Sequence, residues 1–107
     1  MAEKPRIKMP KEAKRGEIIQ IKTLVAHVME SGQRKDQSGN TIPRKIINTF
    51  VCSFNGAPVF ACDLETSIAA NPYLQFAVRV EQSGVFAFRW VDDDGTFITA
   101  EENIVVS

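Results

Sequence analysis

Apolar and polar residues alternate with a period of two along most of the chain, a pattern typical of β-strands with one buried face. The alternating runs are residues 17–25, 46–54, 60–64, 74–80, 86–90 and 97–106. About seven short strands in about 100 residues predict an all-β protein, an immunoglobulin or fibronectin-III-like antiparallel β-sandwich. A chain of 107 residues is expected to form one domain, residues 1–107.

The large side chains on the apolar side of these strands are expected to fill the core, because fully burying one phenylalanine stabilises a fold by roughly 1.5–3 kcal/mol. They are Phe50, Phe54, Phe60, Phe76, Phe86, Phe88 and Trp90. Turn-forming residues separate the runs. These turns are Asn55-Gly56, Asn71-Pro72, Ser83-Gly84 and Asp92-Asp93-Asp94-Gly95. Pro58 is predicted on an edge or at a strand start, because proline cannot donate to a central ladder.

One long polar segment, residues 27–45 (HVMESGQRKDQSGNTIPRK), interrupts the alternation. Nineteen residues without a helical or strand period is long, since connections beyond about 12–15 residues are usually functional or disordered. The segment contains no metal-ligand cluster and no nucleophile with a base. It therefore predicts a binding surface rather than a catalytic site, and Arg34 and Arg44 are its candidate anion-binding side chains.

The net charge is zero, but its distribution is uneven. Residues 1–50 hold eleven basic and five acidic side chains, and residues 51–107 hold two basic and eight acidic ones. Such asymmetry orients two proteins at encounter. The N-terminal cations are expected to form a solvated tail; no aromatic residue interleaves with them to stack bases, so no nucleic-acid partner is expected. No apolar run of ~18–20 residues predicts a membrane span, and no apolar segment follows the cations as in a secretory signal.

Candidate chemistry is sparse, and we expect no cofactor, no metal and no catalytic residue. Cys52 and Cys62 alternate with large apolar residues, which favours buried free thiols; a cross-strand disulfide or a reactive cysteine stays open, because the strand register is unknown. His27, the single histidine, is interpreted as a polar anchor at a strand end. The Asp92–Gly95 run is interpreted as an acidic hairpin turn rather than a calcium loop.

From Ile18 onward the order of motifs resembles the SoxZ family, the small partner of SoxY in the thiosulfate-oxidising multienzyme system. The central motif is H-x-M-E-x-G-x-R-x-D-x-x-G-x-x-I-P-R. It comprises His27, Met29, Glu30, Gly32, Arg34, Asp36, Gly39, Ile42, Pro43 and Arg44. Further matches are Lys45-Ile46-Ile47, Phe50, Phe54-Asn55-Gly56, Ala70-Asn71-Pro72, Ser83-Gly84 and Asp92-Asp93-Asp94-Gly95.

The resemblance implies a non-catalytic sandwich subunit of a SoxY–SoxZ heterodimer. In that family the sulfur is carried on a cysteine in a Gly-rich C-terminal arm of SoxY. This sequence ends in Asn103-Ile104-Val105-Val106-Ser107 and contains no such arm, so the carrier role is expected to belong to the partner. The resemblance further implies a periplasmic protein exported as a complex with SoxY, without a signal peptide of its own, that contacts other Sox enzymes transiently. The isolated chain is expected to self-associate through its partner surface.

Two other functions stay open. One is a stand-alone adhesion or chaperone-like sandwich with a ligand-binding loop. The other is a thiol peroxidase that uses Cys52 or Cys62, which would require a thiolate of low pKa.

Overall fold

The computed structural model describes residues 5–27, 29–64 and 72–107, and these residues form eight β-strands and no helix. The strands are β1 (Arg6–Lys8), β2 (Glu12–Ala13), β3 (Glu17–Leu24), β4 (Ile47–Phe54), β5 (Ala57–Asp63), β6 (Tyr73–Val80), β7 (Gly84–Asp92) and β8 (Phe97–Val106). They build a three-stranded sheet in the order β1-β3-β6 and a five-stranded sheet in the order β2-β8-β7-β4-β5. The predicted all-β sandwich is confirmed.

The N-terminal segment was expected to be a solvated tail, and for residues 6–13 this prediction is wrong. β1 pairs antiparallel with β3, whereas β2 pairs parallel with β8 in the other sheet. The segment therefore crosses from one layer of the sandwich to the other. The two strands contribute only three and two residues, too few for alternation to be visible in the sequence.

The core lies between the two sheets and contains a cluster of aromatic rings among aliphatic side chains. Phe50 is completely buried and contacts four other rings, with centroid distances from 5.1 Å to Trp90 to 6.4 Å to Phe88. Five of the seven predicted core aromatics are buried, and Phe54 and Phe60 are partly buried against them. The Phe60 ring on β5 stacks on the Phe76 ring on β6 with a centroid distance of 4.4 Å. This contact joins an edge strand of one sheet to an edge strand of the other.

Turn chemistry behaves as predicted where the structure describes it. Asn55 and Gly56 have φ values of +50° and +87°, the left-handed pair that a two-residue hairpin between β4 and β5 requires. Pro58 lies on the edge strand β5, beside a register shift that leaves Val59 without a partner on β4. Of the predicted Asn71-Pro72 turn, Asn71 lies outside the described residues.

Candidate functional site

The 27–45 segment is not an irregular loop, as its sequence suggested, but a narrow two-stranded hairpin. Glu30 and Lys45 exchange backbone hydrogen bonds of 2.9 and 2.8 Å, and the Ile42 amide donates to the Arg34 carbonyl at 2.8 Å. A second bridge joins Lys35 to Thr41. We call residues 30–45 the arm. Its pairing has no period-two signature because no sheet covers either face, so nothing selects alternate apolar residues.

The tip of the arm is a turn held by one side chain. The Asp36 carboxylate accepts hydrogen bonds from the Ser38 and Asn40 amides at 2.9 and 3.0 Å. Gly39 follows with a φ of +84°. Residues 33–41 are all exposed, so this ordered tip is open to solvent. Asp36 is therefore placed to shape the tip of the arm.

His27 and Met29 lie at the base of the arm. His27 Nδ1 accepts a hydrogen bond from the Met29 amide at 2.8 Å, and His27 Nε2 lies 2.6 Å from Asp92 Oδ2. In the neutral ring the proton therefore belongs on Nε2 and is donated to Asp92. Met29 is buried, and its Sδ accepts from the Ile47 amide at 3.4 Å. Both nitrogens of His27 are engaged, which confirms its interpretation as an anchor.

The turn between β7 and β8 holds the base of the arm from the other side, and we call Asp92, Asp93 and Asp94 the acidic turn. Arg44 donates to both oxygens of Asp93, at 2.8 Å from Nε and 3.0 Å from Nη2. Lys45 Nζ lies 2.8 Å from Asp92 Oδ2 and 3.5 Å from Asp94 Oδ2. The run predicted as an acidic hairpin turn is thus confirmed as a turn, and its additional role as an anchor was not predicted.

Asp93 is the most heavily bonded member of the acidic turn. Besides Arg44, its carboxylate accepts from the Asn48 side-chain amide at 2.9 Å and from the Ile46 backbone amide at 3.1 Å. The Arg44 guanidinium, helped by Asn48 and the Ile46 amide, holds the pKa of Asp93 well below its usual range. Asp93 is therefore charged at neutral pH and fixes the strand that carries Arg44.

Asp92 and Lys45 form the second half of this anchor. Burial alone would raise the pKa of Asp92, but hydrogen bonds from Lys45 and His27 outweigh burial and lower it. The same hydrogen bond to Asp92 raises the pKa of Lys45. Both groups are thus held in their charged forms, as an ion pair requires.

Arg34 lies farther along the arm. Its Nη2 is 2.6 Å from Glu30 Oε1, an exposed ion pair, and the Arg34 hydrogen bond lowers the pKa of Glu30. Gly32 is close to the opposite strand, since a Cβ there would approach the Cβ of Arg44 to 3.0 Å. Both arginines singled out for anion binding therefore have carboxylate partners within the chain. Anion binding by these arginines stays a prediction, and a bound anion would compete with the two ion pairs.

All nine predicted site residues lie in the arm or at its base. Ile42 is half-buried, and Pro43 and Arg44 follow it on the returning strand. The sequence interpretation missed the partners that hold the arm in place. These are Lys45, Asn48, Asp92 and Asp93. The signal that could have found them is the complementary pair of charge runs, Arg44-Lys45 and Asp92-Asp93-Asp94.

Cys52 and Cys62 are both free thiols; Cys52 is buried, as predicted, whereas Cys62 is only partly buried. Cys52 lies opposite Phe60 and Cys62 opposite Phe50, so the two cysteines are offset by two residue pairs and do not face each other. Burial raises the pKa of Cys52 to about 12. Burial, with the charge of Asp63, also raises the pKa of Cys62.

The Cys52 thiol is expected to resist alkylation by iodoacetamide at pH 8 in the native protein, because almost none of it is thiolate at that pH. Mass spectrometry of the alkylated peptides should show modification of Cys52 only after unfolding in urea. The partly buried Cys62 provides the internal comparison and should react sooner. Rapid native modification of Cys52 would contradict the buried, high-pKa assignment.

Within the described ranges, no group of three or more histidine, cysteine, aspartate or glutamate side chains is placed to hold a metal ion. The same part of the chain contains no helix long and apolar enough to cross a membrane.

A comparison with protein families matches residues 7–103 to the family described as "Sulphur oxidation protein SoxZ". The chain belongs to the SoxZ family. This confirms the resemblance carried by the motif at residues 27–44 and covers nearly the whole sandwich. A comparison with curated proteins finds no match.

Several solved structures share the fold of this SoxZ family member. A superoxide reductase (neelaredoxin) from Ignicoccus hospitalis aligns with a TM-score of 0.78 at 18% identity, covering 99% of this chain and 82% of that one. The sulfur carrier protein SoxY from Chlorobium limicola f thiosulfatophilum aligns with a TM-score of 0.65 at 12% identity, covering 96% and 78%. At these identities the likeness concerns the fold alone.

Proposed function

We propose that this SoxZ family member is the non-catalytic subunit of a heterodimeric sulfur carrier in thiosulfate oxidation. It binds a SoxY subunit and helps present the sulfur-bearing cysteine arm of SoxY to other Sox enzymes in the periplasm. The family match over residues 7–103 is the observation that carries this proposal. The SoxY structure from Chlorobium limicola has the same sandwich fold, so the complex would consist of two related sandwiches.

The outer face of the five-stranded sheet, which we call the five-strand face, is the surface best suited to a permanent partner. Its outward side chains are mostly small or apolar. They include Val51, Ser53, Ala61, Val85, Ala87, Val91 and Phe97. Val85 and Phe97 are 37% and 55% exposed. Permanent hetero-complexes use large apolar interfaces, and this composition fits that class.

The shape of the five-strand face also favours docking. Four long strands spaced about 4.8 Å apart, each about 25 Å long, offer a flat area of roughly 500 Å² before side-chain relief is counted. Small side chains at Ser53 and Ala87 leave a shallow depression of about 350 Å³ at its centre, flanked by Arg89 and Glu101. A standard interface uses about 800 Å² of accessible surface per partner, so this face plus its rim is large enough.

The free edge of this sheet is less suitable. β5 carries Pro58, which has no amide to donate, and a bulge at Val59 that breaks the regular ladder. Both features are devices that prevent edge-to-edge pairing. We therefore place the partner on the face of the sheet and not on its edge.

The five-strand face continues into the arm of this chain, residues 30–45. Val91 and Phe97 are cross-strand neighbours beside the acidic turn, and the guanidinium of Arg89 lies 4.2 Å from the centre of the Phe97 ring. A subunit seated on this face would meet the base of the arm. The arm is thus positioned to guide a mobile segment of that subunit.

Replacing Ala87 with arginine is expected to weaken the complex with a co-expressed SoxY at least tenfold, because a long charged side chain would occupy the central depression. Native mass spectrometry and size-exclusion chromatography measure the one-to-one complex. The matched control is Ala77→Arg, an exposed alanine in the middle of β6, on the outer face of the other sheet. If only Ala77→Arg broke the complex, the assignment of the five-strand face would be wrong.

The same experiment separates the functions left open above. After thiosulfate turnover, the added sulfur mass is expected on the partner alone. A wild-type chain that forms no complex with SoxY would favour a stand-alone binding module. Sulfur added to this chain would overturn the scaffold role and return attention to the cysteines.

A further inference from the structure

The outer face of the three-stranded sheet differs sharply from the five-strand face. Arg6 of β1, Leu24 of β3 and Tyr73 of β6 form one row across all three strands, since Leu24 pairs with both of the others. Lys8, Lys22 and Gln75 form the next row on the same outer face, two residues farther along each strand. We call this surface the basic face. The crossing of the N-terminal segment between the layers creates it, because β1 brings two of its cations.

Positive charge on the basic face is unbalanced. Its cations are Arg6, Lys8, Lys22 and Arg79, and no outward position of its three strands carries a carboxylate. Among the described residues, four carboxylates border it. Glu17 at the start of β3 accepts from the Lys14 amide at 2.9 Å, and Glu81 follows Arg79 at the end of β6. Glu101 and Glu102 line a separate groove with Pro5 and Ile7. Arg6, Lys8 and Lys22 therefore dominate their end of the face.

The same end contains a shallow cleft of about 370 Å³, lined by Arg6, Lys8, Lys22, Leu24 and Tyr73, with Ile7 and Thr23 behind them. Tyr73 is 54% exposed, and its hydroxyl donates to Gln75 Oε1 at 3.4 Å. Tyrosine and arginine are enriched in protein-binding hot spots, so Tyr73 and Arg6 make this cleft suitable for a protein partner. The cleft has room for a few side chains of a partner.

We propose that the basic face docks an acidic segment of a second protein partner, one whose carboxylates pair with Arg6 and Lys22 while an apolar side chain packs on Leu24 and Tyr73. This inference does not rest on the proposed function. The two outer faces lie on opposite sides of the sandwich, so an acidic partner and a subunit on the five-strand face can bind at once.

Charge and shape favour a protein over a nucleic acid. Strong binding to a phosphate backbone commonly uses six to ten cationic contacts, whereas this face offers about four. It presents one aromatic ring, and strand binding usually stacks successive bases on several. Residues 51–107 carry a charge of −6, which disfavours a polyanion long enough to reach that part of the chain.

The test is a ¹⁵N-NMR titration of the full chain with a ten-residue peptide of alternating glutamate and leucine in 20 mM salt. Shifts are expected at Arg6, Lys22, Leu24 and Tyr73. The double variant Arg6→Glu/Lys22→Glu should weaken binding at least tenfold. The matched control, Lys11→Glu/Lys35→Glu, makes the same charge change at exposed positions off the face and should alter binding less than threefold.

Three results would overturn the proposal. Equal weakening by both double variants would mean that only net charge matters. Tighter binding of a twenty-nucleotide single-stranded DNA to the same residues would assign the face to nucleic acid. Full competition by millimolar sulfate, with no shift at Leu24 or Tyr73, would reduce it to a small-anion site. The Arg6→Gln/Lys22→Gln variant removes two cations without introducing negative charge and should weaken binding by an intermediate factor.

Discussion

Replacing Phe50 with alanine is expected to lower the free energy of unfolding by about 3–5 kcal/mol, the largest effect of any single substitution considered. Phe50 is completely buried at the middle of β4, and its ring contacts Phe60, Phe76, Phe88 and Trp90. Removing it deletes apolar surface shared by both sheets and leaves a cavity that rigid neighbouring strands cannot close. Since domains are stable by only about 5–15 kcal/mol, much of the stability would be lost.

Urea unfolding followed by tryptophan fluorescence measures this effect, because Trp90 lies 5.1 Å from the Phe50 ring, centroid to centroid. The midpoint should fall while the slope with urea stays constant, as expected for a stability change alone. Phe97→Ala is the matched control. Phe97 is 55% exposed, so its loss should cost about 1 kcal/mol or less through the contact with Arg89. Equal costs for the two substitutions would contradict the assigned core.

Much of the sandwich was predictable because a strand with one buried face requires apolar and polar residues to alternate along the sequence. In β7, Phe86, Phe88 and Trp90 are buried and the alternate residues are not, just as the pattern predicted. Short strands escape this rule. β1 pairs with β3 through three residues, and β2 pairs through two residues with β8 at the other end of the chain, so their local sequence resembles a charged tail.

The site was predicted less completely than the fold. The motif located the arm, because a long polar segment is conspicuous between alternating strands. Its structure depends on contacts that join distant residues, such as His27 with Asp92 and Arg44 with Asp93. Such contacts depend on sheet order and register, which local patterns do not encode. The opposite charges of Arg44-Lys45 and Asp92-Asp93-Asp94 were the available signal for this contact. Aspartate-rich hairpin turns are common, so that signal alone does not identify the pairing.

Replacing Asp93 with alanine is expected to loosen the arm and to lower the free energy of unfolding by about 2–3 kcal/mol. The substitution removes acceptors from Arg44, Asn48 and the Ile46 amide, and the side chain that supplies them is only 18% exposed. Hydrogen exchange should report the local effect. The Glu30 and Lys45 amides, which pair across the base of the arm, should exchange at least tenfold faster. Asp63→Ala removes an exposed carboxylate at the end of β5 and should change neither quantity appreciably.

The contribution of Asp93 should also depend on pH, and its sign follows from the direction of the pKa shift. The folded-state pKa lies below the value of about 3.9 expected for an unfolded aspartate. The stabilisation is therefore complete above about pH 5 and is lost as the pH falls through the folded-state pKa. The difference in unfolding free energy between the wild type and Asp93→Ala should be largest at pH 7 and should shrink below about pH 4. Urea unfolding at pH 7, 5 and 3 measures this difference, and a constant gap at all three would show that the ion pair with Arg44 contributes nothing to it.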